Sequence, residues 1–467
     1  MRREILHPGA GKLRYEIREI AAFARSLEKW NIPIQWENIG DPVKKGEPVA
    51  AWIKEIVREK AGEDLSYAYS ETEGAGCTRE FLAERVNGRP SLKKAGKMPL
   101  ENPDMTAKIT ANDILFFNGL GDAITKVFGF LAREARVLGP SPAYSSLSSA
   151  EAAHSGYEHV TYRLNPKKDW MPDMADVELK VKYNDSIAGI LLINPDNPTG
   201  TVYPVEILSE FVRIAKNYGL FIVCDETYAN IVYGGAETAA LSQVIGEVPG
   251  LALRSISKEI PWPGARCGWA EIFNRGADKR FDAYICSLLE AKRLEVCSTS
   301  LPQLCIPAIM GDPRYSEHLA ARAAMYEKRA QEAEDILGNI PGTLMKKPRG
   351  AFYASMVFEN EYAKNEGHCL PVKSNELREF ITGKTRNLKP DKQFAYWLLA
   401  SAGICVVPLS GFTNDPDGNS LLDNSLLDNS LSGFRFTLLE HNDEKRRWIF
   451  SALADAVCTY NRRPFIG

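Results

Sequence analysis

From residue 114 to residue 224, short apolar runs alternate with stretches of helical periodicity, and no other feature limits the fold as tightly. The runs are Ile114 to Phe117, Ala135 to Leu138, His159 to Tyr162, Ile187 to Ile193 and Leu220 to Cys224. Each is short for a helix, and the most apolar of them suit strands covered on both faces. Between them Ala123 to Leu131, the segment from Ser145, and Pro204 to Tyr218 read as helices. Strand, helix, strand in this order builds a mainly parallel sheet flanked by helices, an α/β fold.

A chain of 467 residues exceeds one ordinary core, so two domains or one large α/β domain are expected. Before the alternating region, residues 13–30 place Ile17, Ile20, Ala21, Ala24 and Leu27 on one helical face. Ile32 to Ile39 reads as a strand stopped by Gly40-Asp41-Pro42, Val49 to Lys60 and Cys77 to Val86 as helices. Residues 87–112, rich in Gly, Pro, Asn and Lys, read as a surface insertion. After a long charged helix at 315–336 the pattern turns mixed α+β, with a domain change near 330. Residues 419–430 repeat a five-residue unit, Asn-Ser-Leu-Leu-Asp, as a duplicated loop would.

The formal charge of −3 gives no electrostatic reason for a nucleic-acid or anionic-membrane partner. No apolar run approaches a transmembrane helix, and Met1 to Pro8 lacks a signal peptide's apolar stretch. Nine cysteines lie singly, without a Cys-x-x-Cys pair, as reduced thiols do. A cytoplasmic protein is expected. None of the six histidines stands at metal-ligand spacing from Cys, Asp or Glu, so no metal is expected.

Four strings carry chemistry. Ser255-Ile-Ser257-Lys258 follows an apolar run and precedes Arg266, putting two hydroxyls, an amine and a guanidinium in about one loop. A lysine that attacks a carbonyl must be neutral, which desolvation or nearby positive charge favours. Asn118-Gly119-Leu120-Gly121-Asp122 joins a strand to a helix N-terminus, the arrangement that holds a phosphate. Asn194-Pro195-Asp196-Asn197-Pro198-Thr199-Gly200 follows a strand, where ligands of open α/β sheets gather. Asp225 ends the next strand, where a buried carboxylate needs a partner such as a protonated ring nitrogen, and Tyr228 follows within a turn.

Two other readings fit these strings less well. Asp225-Glu226 after an apolar strand is similar to a Walker B motif, and Gly383-Lys384-Thr385 to the end of a P-loop. The first P-loop glycine would stand at 378, which is Arg378, and the order along the chain is reversed. Ser255-x-x-Lys258 also opens a serine acylase motif, but no Ser-Asp-Asn or Lys-Thr-Gly partner follows.

Together these residues, from Tyr15 to Arg435, resemble pyridoxal-phosphate-dependent class I/II aminotransferases of fold type I. The resemblance implies a mainly parallel, seven-stranded-type central sheet with helices on both faces, plus a smaller α+β domain from both termini. The expected division is 1–48, 49–330 and 331–467. It also implies that Lys258 carries pyridoxal 5′-phosphate as a Schiff base and moves the proton, while Asp225 pairs with the ring nitrogen. Asn194 and Tyr228 would contact the ring oxygen, and Tyr144 would stack on the ring. Ser255, Ser257 and Arg266 would hold the phosphate with the turn Gly119, Leu120, Gly121 and Asp122. Tyr69 would reach the neighbouring subunit's phosphate in a homodimer. Arg435 would bind the carboxylate of an amino acid or 2-oxo acid through a two-point fork.

Within that family the strings Tyr15-Glu-Ile-Arg18, Asn38-Ile-Gly40-Asp-Pro, Asp169-Trp-Met-Pro-Asp173 and Lys347-Pro-Arg-Gly-Ala-Phe-Tyr353 are most similar to alanine (glutamate–pyruvate) aminotransferases. Tyr15 and Gly40 would then line the substrate pocket, with Arg18 nearby. Arg254-Ser255-Ile-Ser257 instead resembles the aspartate aminotransferase pattern. The same scaffold implies an alternative outcome, carbon–sulfur lyase, racemase or decarboxylase chemistry. Transcription regulators with this domain add an N-terminal winged helix, for which the chain before Tyr15 has no room.

Overall fold

The computed structural model describes residues 5–13, 16–92, 105–359, 369–413 and 431–462. Its largest element is an eight-stranded sheet. In spatial order the strands are Ile114–Phe117, Gly268–Phe273, Gly250–Ser255, Phe221–Asp225, Ile187–Ile193, Arg136–Ser141, Thr161–Asn165 and the short Met171–Pro172. Gly268–Phe273 and Met171–Pro172 run against their neighbours, and the central pairs are parallel. This is the α/β architecture expected from the alternation.

The central strands are apolar because both faces are packed. Ile190, Leu192, Ile222, Cys224 and Ala252 enter one core, while Leu191, Ile193, Val223, Leu251 and Leu253 enter the core on the opposite face. Successive side chains point to opposite sides of a strand, so a two-faced sheet demands apolar residues at nearly every position. A third core gathers Ile20 and Ala24 of the N-terminal helix Glu16–Ser26, and Leu27 just after it, with described apolar residues from Tyr326 to Tyr460 around a four-stranded antiparallel sheet. That sheet runs Thr343–Met345, Tyr353–Phe358, Gly433–Thr437, Val407–Pro408.

The helix Arg314–Leu337 runs unbroken through residue 330, where the domain change is expected. It passes from one core to the other between Tyr315 and Tyr326. The two sheets also meet through loops. The Ala351 N–H donates to the Ile231 carbonyl at 2.9 Å, and the Arg349 and Gly350 N–H groups both donate to that of Gly200 at 3.0 Å.

Two local expectations need correction, and the P-loop reading already set aside meets a structural objection. Of Ile32 to Ile39 only Gln35–Trp36 forms a strand, paired in parallel with Ile404–Cys405. Pro33 lacks the N–H a ladder needs, and the Asn38 carbonyl is drawn away to Arg435. The segment 87–112 is not all surface: Leu92, Ala107 and Ile109 are buried, and the Asn87 side chain bonds both the N–H and the carbonyl of Ile109. Gly383-Lys384-Thr385 ends the helix Asn375–Thr385, so it cannot be the strand-to-helix loop of a P-loop. The 419–430 repeat lies outside the described residues.

Candidate active site

Sheet register assembles one wall of the site. Ile193 pairs with Asp225, and Asp225 with Leu253, so Asn194, Asp225 and Ser255 emerge close together at the carboxyl ends of three parallel strands. On the other side, Gly268 pairs with both Ser255 and Phe117. That row brings Ser255, the Arg266 turn and the Asn118-Gly119 turn to one place.

Gly119 adopts φ +82°, and a Cβ there would lie 2.5 Å from an Arg266 guanidinium nitrogen. The missing side chain lets the guanidinium sit against the N-terminus of helix Leu120–Gly129. The Ser255 hydroxyl donates to Ser257 Oγ at 2.8 Å and accepts the Ser257 N–H at 3.0 Å. Two hydroxyls, a guanidinium and the first N–H groups of a helix form a cradle that suits a phosphate dianion. The Asp122 backbone N–H donates to the Gly119 carbonyl at 3.1 Å, and its carboxylate pairs with Lys126 and accepts the Asn118 N–H. Asp122 therefore closes the turn, and the exposed donors of the cradle come from Leu120 and Gly121.

Lys258 stands above this cradle, half-buried, with Nζ donating to the Gly40 carbonyl at 2.6 Å. Burial pushes its amine down from 10.5 to about 8; Arg435 and Arg266 push the same way, and Asp41 and Asp225 oppose them. Asp225 is 5% exposed, and burial raises its carboxyl despite bonds from the Thr227 N–H and hydroxyl at 3.0 and 2.5 Å. A buried carboxyl under such strain from desolvation is stabilised by a cationic hydrogen-bond donor. A protonated ring nitrogen is such a donor.

The opposite wall belongs to the small sheet. Arg435, 1% exposed, donates to Asn197 Oδ1 at 3.1 Å and to the Asn38 carbonyl at 2.5 Å. Its guanidinium carbon lies 4.3 Å from the Tyr353 ring centre and 5.0 Å from that of Phe412. Tyr353 is the hub: its hydroxyl accepts from Tyr228 at 3.2 Å and abuts Gly40, where any Cβ would collide with it. Burial raises the Tyr228 hydroxyl well above its usual range, which keeps it a neutral donor. The Ala143 N–H donates to the Phe412 carbonyl at 2.8 Å, which places neighbouring Tyr144 on this rim.

The structure thus brings together Lys258, Asp225, Ser255, Ser257, Arg266, Gly119, Tyr228, Gly40 and Arg435. It does not bring in Asn194 as expected. The Asn194 amide donates to Thr238 at 2.8 Å and accepts the Tyr203 N–H at 2.8 Å, so each end is engaged by the neighbouring chain at 203 and 238. Asn197, three residues on, faces Arg435 instead. Sequence reading also missed Tyr353 and Phe412 as site residues; Tyr353 stands in the string from Lys347, but nothing local marks its contact with Arg435. Arg18 is exposed on the outer side of its helix, and Tyr15 lies outside the described residues. Tyr69 is 83% exposed.

Comparison with known proteins agrees with this geometry. The family Aminotransferase class I and II matches residues 38–421. An uncharacterized aminotransferase of Methanocaldococcus jannaschii is 49% identical, over 98% of this chain and 99% of its own length. The glutamate-pyruvate aminotransferase AlaA of Escherichia coli K12 is 32% identical, over 73% of this chain and 79% of its own. Among solved structures, the alanine aminotransferase of Pyrococcus furiosus superposes with a TM-score of 0.75 at 24% identity, covering 97% of this chain and 98% of that one. The chain belongs to the class I and II aminotransferases, and it is an enzyme of amino-group transfer.

Proposed function

We propose that this enzyme uses pyridoxal 5′-phosphate at Lys258 to move the amino group of an L-amino acid to a 2-oxo acid, in two half-reactions of a ping-pong cycle. The observation that carries the reading is a half-buried lysine lowered to about 8, set between the buried Asp225 and the fork of Arg435. When bound, the cofactor supplies an aldehyde for the amine and an electron-withdrawing ring that stabilises negative charge at the substrate's Cα. Ser255, Ser257, Arg266 and the first turn at Leu120 and Gly121 would hold its phosphate. Asp225 would keep the ring nitrogen protonated, Tyr144 would stack on the ring, and Tyr228 and Asn197 would contact its oxygen.

Arg435, oriented by Asn197 and Asn38, grips the substrate carboxylate at two points, which aims the Cα proton at Lys258. Lys258 Nζ, about half deprotonated near pH 8, accepts that proton from Cα. In this reading the donors are alanine and glutamate. The glutamate-pyruvate activity named for AlaA supports that choice; aspartate is the other candidate.

A second copy of the chain completes the site in this reading. Leu65, Tyr67 and Tyr69 are 71%, 79% and 83% exposed, and Leu294 is 89% exposed. Hydrogen bonds from Thr72 to the Val296 carbonyl and from Ser300 to the Ala68 carbonyl join the two segments into one patch. An apolar face of this kind is what a partner covers. Among the described residues no helix is long and apolar enough to cross a membrane.

Single amino acids added to the cofactor-loaded protein test the proposal. The visible absorbance should change with L-alanine or L-glutamate and return with pyruvate or 2-oxoglutarate. Release of ammonia or an inverted enantiomer would replace transfer by lyase or racemase chemistry.

A further inference from the structure

We infer that Arg322 is a positioning residue for Lys258, and that through Glu47 it ties the lysine's backbone to the segment Gly40–Glu47 that holds the lysine's amine. The inference rests on the reading of Lys258 as the reactive amine. Arg322 lies on the long helix Arg314–Leu337 and is 6% exposed. Its Nη1 donates to the carbonyl of Lys258 at 2.7 Å and to that of Glu259 at 3.0 Å. Its Nε donates to Glu47 Oε1 at 2.5 Å, and the hydroxyl of Tyr326, one turn along the helix, donates to Glu47 Oε2 at 2.6 Å. Against the cost of burial, these bonds hold the Glu47 carboxyl below its usual range, so the pair is ionic.

The contacts form a closed ring. The turn from Asp41 to Glu47 is folded on itself by the Lys45 N–H to Asp41 and Pro42 carbonyls and the Glu47 N–H to that of Pro42. Gly40, just before it, accepts from Lys258 Nζ; Glu47, at its end, grips Arg322, which grips the lysine's own carbonyl. Both ends of Lys258 are therefore set by one short segment, Gly40 to Glu47, with Arg322 as the link. One turn beyond Tyr326 on the same helix, Arg329 donates to the carbonyls of Leu438 and Leu439, just after the Arg435 strand. Breaking the ring frees the lysine to reach solvent without touching any atom of the site.

The test reads the amine itself. Trace acetylation of the full chain without cofactor, followed across pH at the Lys258 peptide, gives its titration midpoint. Asp41, Asp225, Arg266 and Arg435 are the charges that face it, and none is altered. Arg322→Lys keeps the charge but cannot span two carbonyls and a carboxylate. Glu47→Gln removes a negative charge, so electrostatics alone would lower the midpoint, whereas a loosened lysine returns toward the ordinary value. Both variants should move the midpoint up by about one unit. An unmoved midpoint in Arg322→Lys, or a downward shift in Glu47→Gln, overturns the proposal. Should either fail to fold, Tyr326→Phe deletes one hydroxyl, preserves packing, and should shift the midpoint the same way by a few tenths; no shift there overturns it equally. Protection of Lys258 by pyridoxal phosphate in the unaltered protein reports separately on the cofactor reading.

Discussion

Lys258 and Arg435 are both cations withdrawn from water, and the protein treats them in opposite ways. Around Lys258 the partners are sparse: one carbonyl at 2.6 Å, with Arg266 and Arg435 adding positive charge that favours the neutral amine. Around Arg435 they are dense: an amide oxygen, a carbonyl and two ring faces fix the plane of a group whose charge burial cannot remove. The first environment makes a group reactive and the second makes a group exact in direction. Amino transfer needs both, a nucleophile that gives up its proton and a fork that never does.

Substitutions at each wall should therefore fail differently. The largest effect is expected at the reactive wall: Lys258→Ala should abolish the visible absorbance of the loaded enzyme and lower kcat by roughly 10⁴-fold or more. At the directing wall, Arg435→Lys should leave the absorbance in place and raise KM by about 10–100-fold, since an ammonium cannot make the planar two-point contact. An unchanged KM would mean that another residue binds the carboxylate. Asn197→Ala should act in the same direction but less, about 10-fold in kcat/KM, through a fork that has lost one anchor. Asn194→Ala sharpens the contrast: it should cost about 1–3 kcal/mol of stability in denaturant titration by stranding the Tyr203 N–H, with kcat/KM affected less than by the Asn197 change.

The two walls also differed in how far the sequence revealed them. The reactive wall is built at the ends of consecutive strands, so a local string announces each member: Asp225 after its apolar run, Ser255 to Lys258 after the next, Gly119 at a strand-to-helix turn. The directing wall draws on Asn38, Asn197, Tyr353, Phe412 and Arg435, and no local periodicity shows that these meet. Asn194 illustrates the limit. It and Asn197 flank the same Pro-Asp pair, and only the loop's hydrogen bonds to Tyr203 and Thr238 decide which side chain faces the pocket. The fold was readable from the alternation of strands and helices, whereas the short Gln35–Trp36 pairing and the buried flanks of residues 87–112 depend on contacts with distant segments.

The most direct measurement is peptide mapping after the cofactor-free protein has been mixed with pyridoxal phosphate and trapped with borohydride across a pH series. Below about 8 the Lys258 amine is protonated and cannot attack; above it the free base predominates. The account predicts label on the Lys258 peptide, rising about tenfold per pH unit toward pH 8 and then levelling, well before an ordinary lysine would. Label spread over exposed lysines such as Lys384, with Lys258 unmodified, would contradict it.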